Sequence, residues 1–175
     1  MPEGPTPFRL SIAVAGQLGR PPAIEFTVAV LCRYGWPAVI RNAPVDARGN
    51  PNPNLYYLTC PFLRREISRL EDRGEIARLQ QRLADDAALA EAVRAAQRRH
   101  EAEWEAGAGG PIKPAPPGPR IAAASGDLLL KCLHAQFAYY LVHRDYAIGG
   151  LIAGELADMW CGDERCRSYL REPEK

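Results

Sequence analysis

Leu55-Tyr56-Tyr57-Leu58-Thr59-Cys60-Pro61-Phe62-Leu63-Arg64-Arg65-Glu66-Ile67-Ser68-Arg69-Leu70 is where this chain changes its hydrophobic period. Leu55 to Thr59 carries the aromatic and β-branched residues that suit a strand. From Pro61 onward, Phe62, Leu63, Ile67 and Leu70 fall at helical spacing. A proline is well placed in a first helical turn, where its missing amide costs no hydrogen bond. Upstream lie two more strand signals, Ile24 to Cys32 and Ala38 to Arg41, separated by the turn chemistry of Tyr34-Gly35-Trp36-Pro37. Downstream the pattern is helical. The expected class is α+β: a small antiparallel sheet of about three strands, covered by helices, with a helical C-terminal half.

Working outward, Gly74 is expected to end the helix that Pro61 opens. Ile76, Leu79 and Leu83 mark a second helix, and Asp85-Asp86 caps a third that runs from Ala87 to Glu105 with Leu89, Val93, Ala96 and Trp104 on its apolar side. Ser125 or Asp127 is expected to cap a fourth helix over Leu128 to His143, and Gly149-Gly150 to separate it from a last helix over Leu151 to Trp160. In front, Ser11 to Leu18 reads as a short helix stopped by Gly19. Residues 1–10 read as a disordered lead-in, 11–166 as one domain interrupted by a Pro/Gly-rich linker at 107–119, and 167–175 as a loose tail.

The charge is nearly balanced, 22 Lys and Arg against 21 Asp and Glu, so no strong field recruits nucleic acid or anionic lipid. No apolar run reaches the roughly 18 residues of a membrane span. Met1-Pro2-Glu3-Gly4-Pro5 lacks the basic and apolar regions of a secretory signal. A cytoplasmic protein is expected, with no nucleic-acid or membrane partner. A protein partner would use the charged helices of residues 62–105.

The chain has five cysteines, and in a reducing compartment these are candidate soft-metal ligands or reactive thiols rather than a disulfide framework. Cys32 closes the first strand and Cys60 the third. In an antiparallel meander those strands run the same way, which puts both thiols at one end of the sheet. Cys132 and His134 stand at the start of the fourth helix. Three thiolates and one imidazole suit a tetrahedral zinc site, so the candidate metal ligands are Cys32, Cys60, Cys132 and His134. Zinc is the expected metal, with an iron–sulfur cluster as the alternative. Side chains two apart on a regular helix diverge, so Cys132 and His134 can meet only where the helix begins. Against this stand two plainer readings: free cysteines as small buried hydrophobes, and a lone histidine whose hydrogen bonds are satisfied.

Cys161 and Cys166 read as tail cysteines, one of them partly exposed. Their loop could still carry a thiol to a metal or close a disulfide. His100 and His143 read as surface residues. The polar loop Arg41 to Tyr57 reads as turn structure. No phosphate loop, Ser-His-Asp order or paired-carboxylate motif stands out, and the sequence does not decide whether the chain is an enzyme. The functional expectation is a metal-binding protein whose site is structural or hydrolytic. The alternatives are a non-enzymatic interaction module and a thiol redox protein using Cys132.

Five segments together resemble a known family. They are Gln17-Leu18-Gly19-Arg20, Cys32 through Ile40, Leu55 through Pro61, Arg69-Leu70-Glu71 with Gly74, and Lys131-Cys132-Leu133-His134. The combination, in this order, resembles the bacterial DUF501 family from about Gln17 to Cys166. That family is a domain of unknown function, so the resemblance implies no reaction. Its genes often sit near an exopolyphosphatase-type phosphatase and cell-division genes, which implies a pathway setting only. Members commonly carry further histidines after the Lys-Cys-Leu-His segment. Gln136 and Tyr139 stand there in this chain, leaving Cys132 and His134 as the matching pair.

Overall fold

The computed structural model describes residues 6–109 and 119–170. Its fold is α+β. The strands β1 (Phe26–Leu31), β2 (Pro37–Asn42) and β3 (Tyr56–Leu58) pair antiparallel in the order β1-β2-β3. Val28 pairs with Ile40 and Val39 with Leu58; Val39 and Ile40 are consecutive and point to opposite faces, and both are buried, so β2 is covered on both sides. The central strand β2 is buried from Pro37 to Ile40. The edge strand β1 alternates half-buried with exposed residues, and register shifts on both sides of Val30 bend it.

The helix α1 spans Pro7–Leu18, four residues earlier than its expected start at Ser11. Pro7 occupies the first turn and the Thr6 side chain accepts from the Arg9 amide, so the proline initiates the helix instead of preventing it. Residues 1–5 and 171–175, parts of the expected lead-in and tail, lie outside the described residues. Residues 165–170 form a 3-10 helix packed on α1.

The helices α2 (Pro61–Asp72), α3 (Glu75–Asp85) and α4 (Ala87–Ala108) follow the periodicity closely. Leu63, Ile67 and Leu70 are buried on α2, and Leu79 and Leu83 on α3. Gly74 sits in the left-handed region, φ 81°, between α2 and α3. Asp86 caps α4 by accepting from the Leu89 amide at 2.9 Å. The helix α4 continues past its expected end at Glu105 into the first two residues of the expected linker. Gly107 is needed there because a Cβ would stand 2.8 Å from Pro44 Cγ. Residues 110–118 of that linker lie outside the described residues.

The helical expectations for residues 128–160 need correction. The fourth long helix, α5 (Leu133–Val142), begins five residues later than Leu128. Gln80 on α3 explains the delay: its amide donates to the Leu128 carbonyl at 2.8 Å and its oxygen accepts from the Leu130 amide at 2.9 Å. Those bonds satisfy an extended backbone that would otherwise coil. Asp127 is turned away from any capping role by its ion pair with Arg120. The last helix, α6 (Ala147–Gly154), contains Gly149 and Gly150 instead of following them.

The main core joins the sheet to α2 through α6 and reaches the Ile121–Ala123 3-10 helix. His100 belongs to it and is not a surface residue: it is 1% exposed, and its Nδ1 lies 2.9 Å from the Pro119 carbonyl, to which it donates. Tyr56 and Tyr139 pack edge-on or tilted against its ring. Burial holds its pKa below the ordinary value of 6.5, the Pro119 carbonyl and Glu103 act in the opposite sense, and His143 and Arg41 add to the lowering. The unfolded chain therefore binds a proton that the folded one refuses. His100 is expected to cost no stability above about pH 6.5, and to lower stability below it by up to about 1.4 kcal/mol per pH unit. His100→Asn keeps a donor near the Nδ1 position. Urea unfolding of that variant should fall off less between pH 6.5 and 5 than the wild type does, and parallel curves would rule His100 out as the source.

Candidate metal-binding cleft

The backbone at Cys132 is extended (φ −154°, ψ 121°), and α5 starts with the next residue. The irregular helix start that a joint Cys132 and His134 site requires is therefore present. The first-turn amide of Leu133 has no partner within its own helix. Glu71 on α2 takes it, with Oε1 at 2.7 Å. One carboxylate thus caps α5 from a neighbouring helix and is fixed beside Cys132 and His134.

Ligand atoms of Glu71, Cys132 and His134 all lie within 4.8 Å of one another, and each residue is half-buried. The Nδ1 of His134 is 3.2 Å from Glu71 Oε1 and 3.8 Å from Cys132 Sγ. Its Nε2 is 3.0 Å from the Arg64 carbonyl and 3.3 Å from Ser68 Oγ, both on α2. A carbonyl can only accept, so Nε2 carries a proton and Nδ1 is the nitrogen left for the site. Nδ1 then faces a carboxylate, and two lone pairs repel unless a positive centre lies between them. Burial works against a proton on His134, but the Cys132 thiol, the Arg64 carbonyl and the charge of Glu71 outweigh it and raise its pKa above the ordinary histidine value.

Cys132, His134 and Ser68 form one wall of a cleft of about 540 Å³, lined also by Asn54, Tyr57, Pro61, Arg64 and Arg65, with Glu71 behind that wall. Tyr56 reaches the same cleft and donates to Glu103 Oε2 at 2.9 Å. Burial and the Glu103 carboxylate push its pKa up to about 12, so it remains a donor at neutral pH.

Of the four ligands expected from sequence, Cys132 and His134 are brought together. Their third partner, Glu71, was not among them. Glu71 follows Ser68 by three residues and Arg64 by seven, so one face of α2 presents all three to His134. That face is legible in the sequence, but the helix it meets is not. Cys32 and Cys60 do flank the start of β2, at one end of the sheet: the Cys32 amide donates to the Trp36 carbonyl at 2.8 Å and the Cys60 amide to the Ala38 carbonyl at 3.3 Å. They lie outside the 4.8 Å grouping found among the described residues. Their neighbours are Cys161 and Cys166: Cys32 and Cys161 act electrostatically on the buried Cys60 thiol, and Cys60, Cys32 and Cys161 on that of Cys166. Cys161 and Cys166 are 7% and 4% exposed, so neither belongs to a loose tail.

Among the described residues no helix is long and apolar enough to cross a membrane. No curated protein and no solved structure matches the chain. Residues 28–153, which include Glu71, Cys132, His134 and most of the cleft's elements, match the family described as "Protein of unknown function (DUF501)", and the chain belongs to that family.

Proposed function

We propose that this is a metal-binding protein in which Glu71, Cys132 and His134 hold one transition-metal ion, zinc favoured, with the fourth coordination position open to the cleft. Three protein ligands and an open position are the arrangement of hydrolytic rather than purely structural zinc sites, so the reaction class is metal-assisted hydrolysis. One observation carries the reading: His134 donates Nε2–H to a backbone carbonyl, which aims Nδ1 at a carboxylate and a thiol, where a metal ion would take the place of a proton. Metal-binding histidines are commonly oriented in this way. The metal, when bound, would act as Lewis acid. The chain's own part is to fix the imidazole tautomer through Arg64, to hold Glu71 through the Leu133 amide, and to wall the cleft with Tyr56 and Tyr57. All five cysteines are free, and thiolate ligation depends on their staying reduced, so a cytoplasmic setting belongs to the proposal.

The other readings fit the site less well. A cysteine nucleophile with a histidine base needs one ring nitrogen for the thiol and the other for an orienting group, whereas Cys132 and Glu71 face the same Nδ1. A redox pair needs a second thiol, and the grouping contains one. As an interaction surface, α2 to α4 would have to use their salt-bridged faces, because their apolar faces are spent on the core.

Elemental analysis of full-length protein purified without chelator tests the proposal. Cys132→Ser and His134→Ala should each contain about one zinc per chain less than the wild type. The same metal content in all three proteins would sink it.

A further inference from the structure

Four of the five cysteines, Cys32, Cys60, Cys161 and Cys166, gather near the end of the sheet where β2 begins, and they come from three separate places in the chain. Cys32 opens a tight turn in which the Gly35 amide donates to its carbonyl at 2.9 Å. Cys60 stands immediately before α2 and is 4% exposed. The loop from Cys161 to Cys166 lies over that turn: Arg33 donates to the Cys161 carbonyl at 2.6 Å, and Trp36 Nε1 donates to Glu164 Oε1 at 3.2 Å. Cys166 packs on Ala13 and Trp36, and its sulfur accepts from Gln17 Nε2 at 3.2 Å. The Gln17 Oε1 is buried beside it without a partner. Glu164 is held at φ 45°, a left-handed conformation unusual for a residue with a side chain, by its bonds to Trp36 and Arg167.

We propose that Cys32, Cys60, Cys161 and Cys166 form a second metal site, a closed tetrahedral four-thiolate zinc centre that fastens the C-terminal segment and α1 to the sheet. This goes beyond the cleft and does not depend on it. Four thiolates leave no open position, which makes the site structural. Buried cysteines are often no more than small apolar residues. Here two of them sit in a small cluster: Ala13, Trp36 and Cys166 are its buried members, with Cys32, Tyr34, Tyr169 and Leu170 partly buried against them, and it joins α1 to the C-terminal segment. A core that small is the kind that metal ligation reinforces, since binding free energy becomes folding free energy.

The thiols' surroundings suit ligation. The sulfurs stand wider apart than the 4.8 Å that encloses the cleft's ligand atoms. A tetrahedral zinc site needs sulfurs about 3.8 Å apart. Binding zinc would draw the four sulfurs together, and the sulfur-only coordination shell is the direct readout of that movement. Four thiolates around a divalent ion leave net negative charge. Arg165, held by Asp163 and lying over the Phe62 ring, is the nearby cation that also feels the charges of Cys161 and Cys60. Burial raises the Cys60 pKa, and the free amides of Leu63 and Phe62 at the start of α2 oppose that rise by favouring the thiolate.

The test uses full-length protein and zinc itself. In the Cys132→Ser background, which removes the cleft thiol, the protein should retain about one zinc per chain, and X-ray absorption should show a sulfur-only shell at about 2.3 Å. Cys166→Ser and Cys161→Ser in otherwise wild-type protein should each lose one zinc equivalent and unfold at lower temperature. If those variants do not fold, the absorption spectrum of the Cys132→Ser protein alone decides. No zinc in the Cys132→Ser protein, or a shell containing nitrogen or oxygen, overturns the four-thiolate site. Failure of the cleft reading looks different: zinc unchanged by Cys132→Ser and lost on Cys166→Ser.

Discussion

Replacing Trp104 by alanine is expected to destabilise the protein by about 3–5 kcal/mol, the range for removing a large buried aromatic side chain. Trp104 is 1% exposed on the inner face of α4 and is among the largest buried side chains of the molecule. Its indole Nε1 donates to the Asn52 carbonyl at 2.7 Å, which ties α4 to the loop whose Asn54 lines the cleft. In a chain of this size the loss corresponds to a fall of roughly 6–20 °C in the midpoint of thermal unfolding. Trp104→Phe keeps most of the ring and drops the hydrogen bond, and should cost less, about 1–3 kcal/mol for the stranded carbonyl and the volume lost. Equal effects of the two substitutions would show that the bond to Asn52, and not the ring, holds the loop. A change below about 1 kcal/mol for the alanine variant would contradict the burial itself.

The second large effect is expected at Gly149, and its neighbour provides the control. A Cβ at Gly149 would run into Tyr140 Cβ and stand 2.5 Å from its Cγ, atoms close to the α5 backbone that cannot swing aside. Gly149→Ala should therefore push α6 away from α5 and cost about 1–3 kcal/mol or more. At Gly150 the nearest atom is Tyr140 Cε2 at 3.9 Å, ordinary contact. There the same substitution meets no obstacle and relieves the entropy penalty of glycine in a helix, so Gly150→Ala should stabilise by up to about 1 kcal/mol. Two adjacent glycines with effects of opposite sign, read from denaturant midpoints, would establish how closely α5 and α6 approach. Destabilisation by both, to the same extent, would mean that the crossing lies elsewhere.

These two sites mark the boundary of what sequence patterns convey. Trp104 is visible in advance, because it continues the spacing of Leu89, Val93 and Ala96 along α4. Gly149 reads in sequence as a break between helices, yet it lies within α6, placed there by contact with a side chain nine residues earlier. His100 follows the same logic: its helical position falls on the buried face, but a histidine reads as polar until the Pro119 carbonyl that receives its proton is known.

The candidate site divides in the same way. That Cys132 and His134 can cooperate only at a helix start follows from helical geometry, and the start is there. Glu71 could not be found from sequence, because it lies 62 residues from the amide it caps and is selected by how α2 crosses α5. The placement of Cys32 and Cys60 at one end of the sheet follows from strand direction alone. The addition of Cys161 and Cys166 beside them depends on where the chain returns after α6.

Local period, caps and turns account for the class of fold, the three antiparallel strands and the extents of α2 and α3: the switch at Pro61, the left-handed Gly74, the carboxylate of Asp86. Where α5 and α6 begin, which histidine is buried and which thiols are neighbours depend on contacts between distant parts of the chain. Backbone donors and acceptors between Leu128 and Leu133 have more than one way to be satisfied. Gln80 and Glu71, reaching in from other helices, select among them.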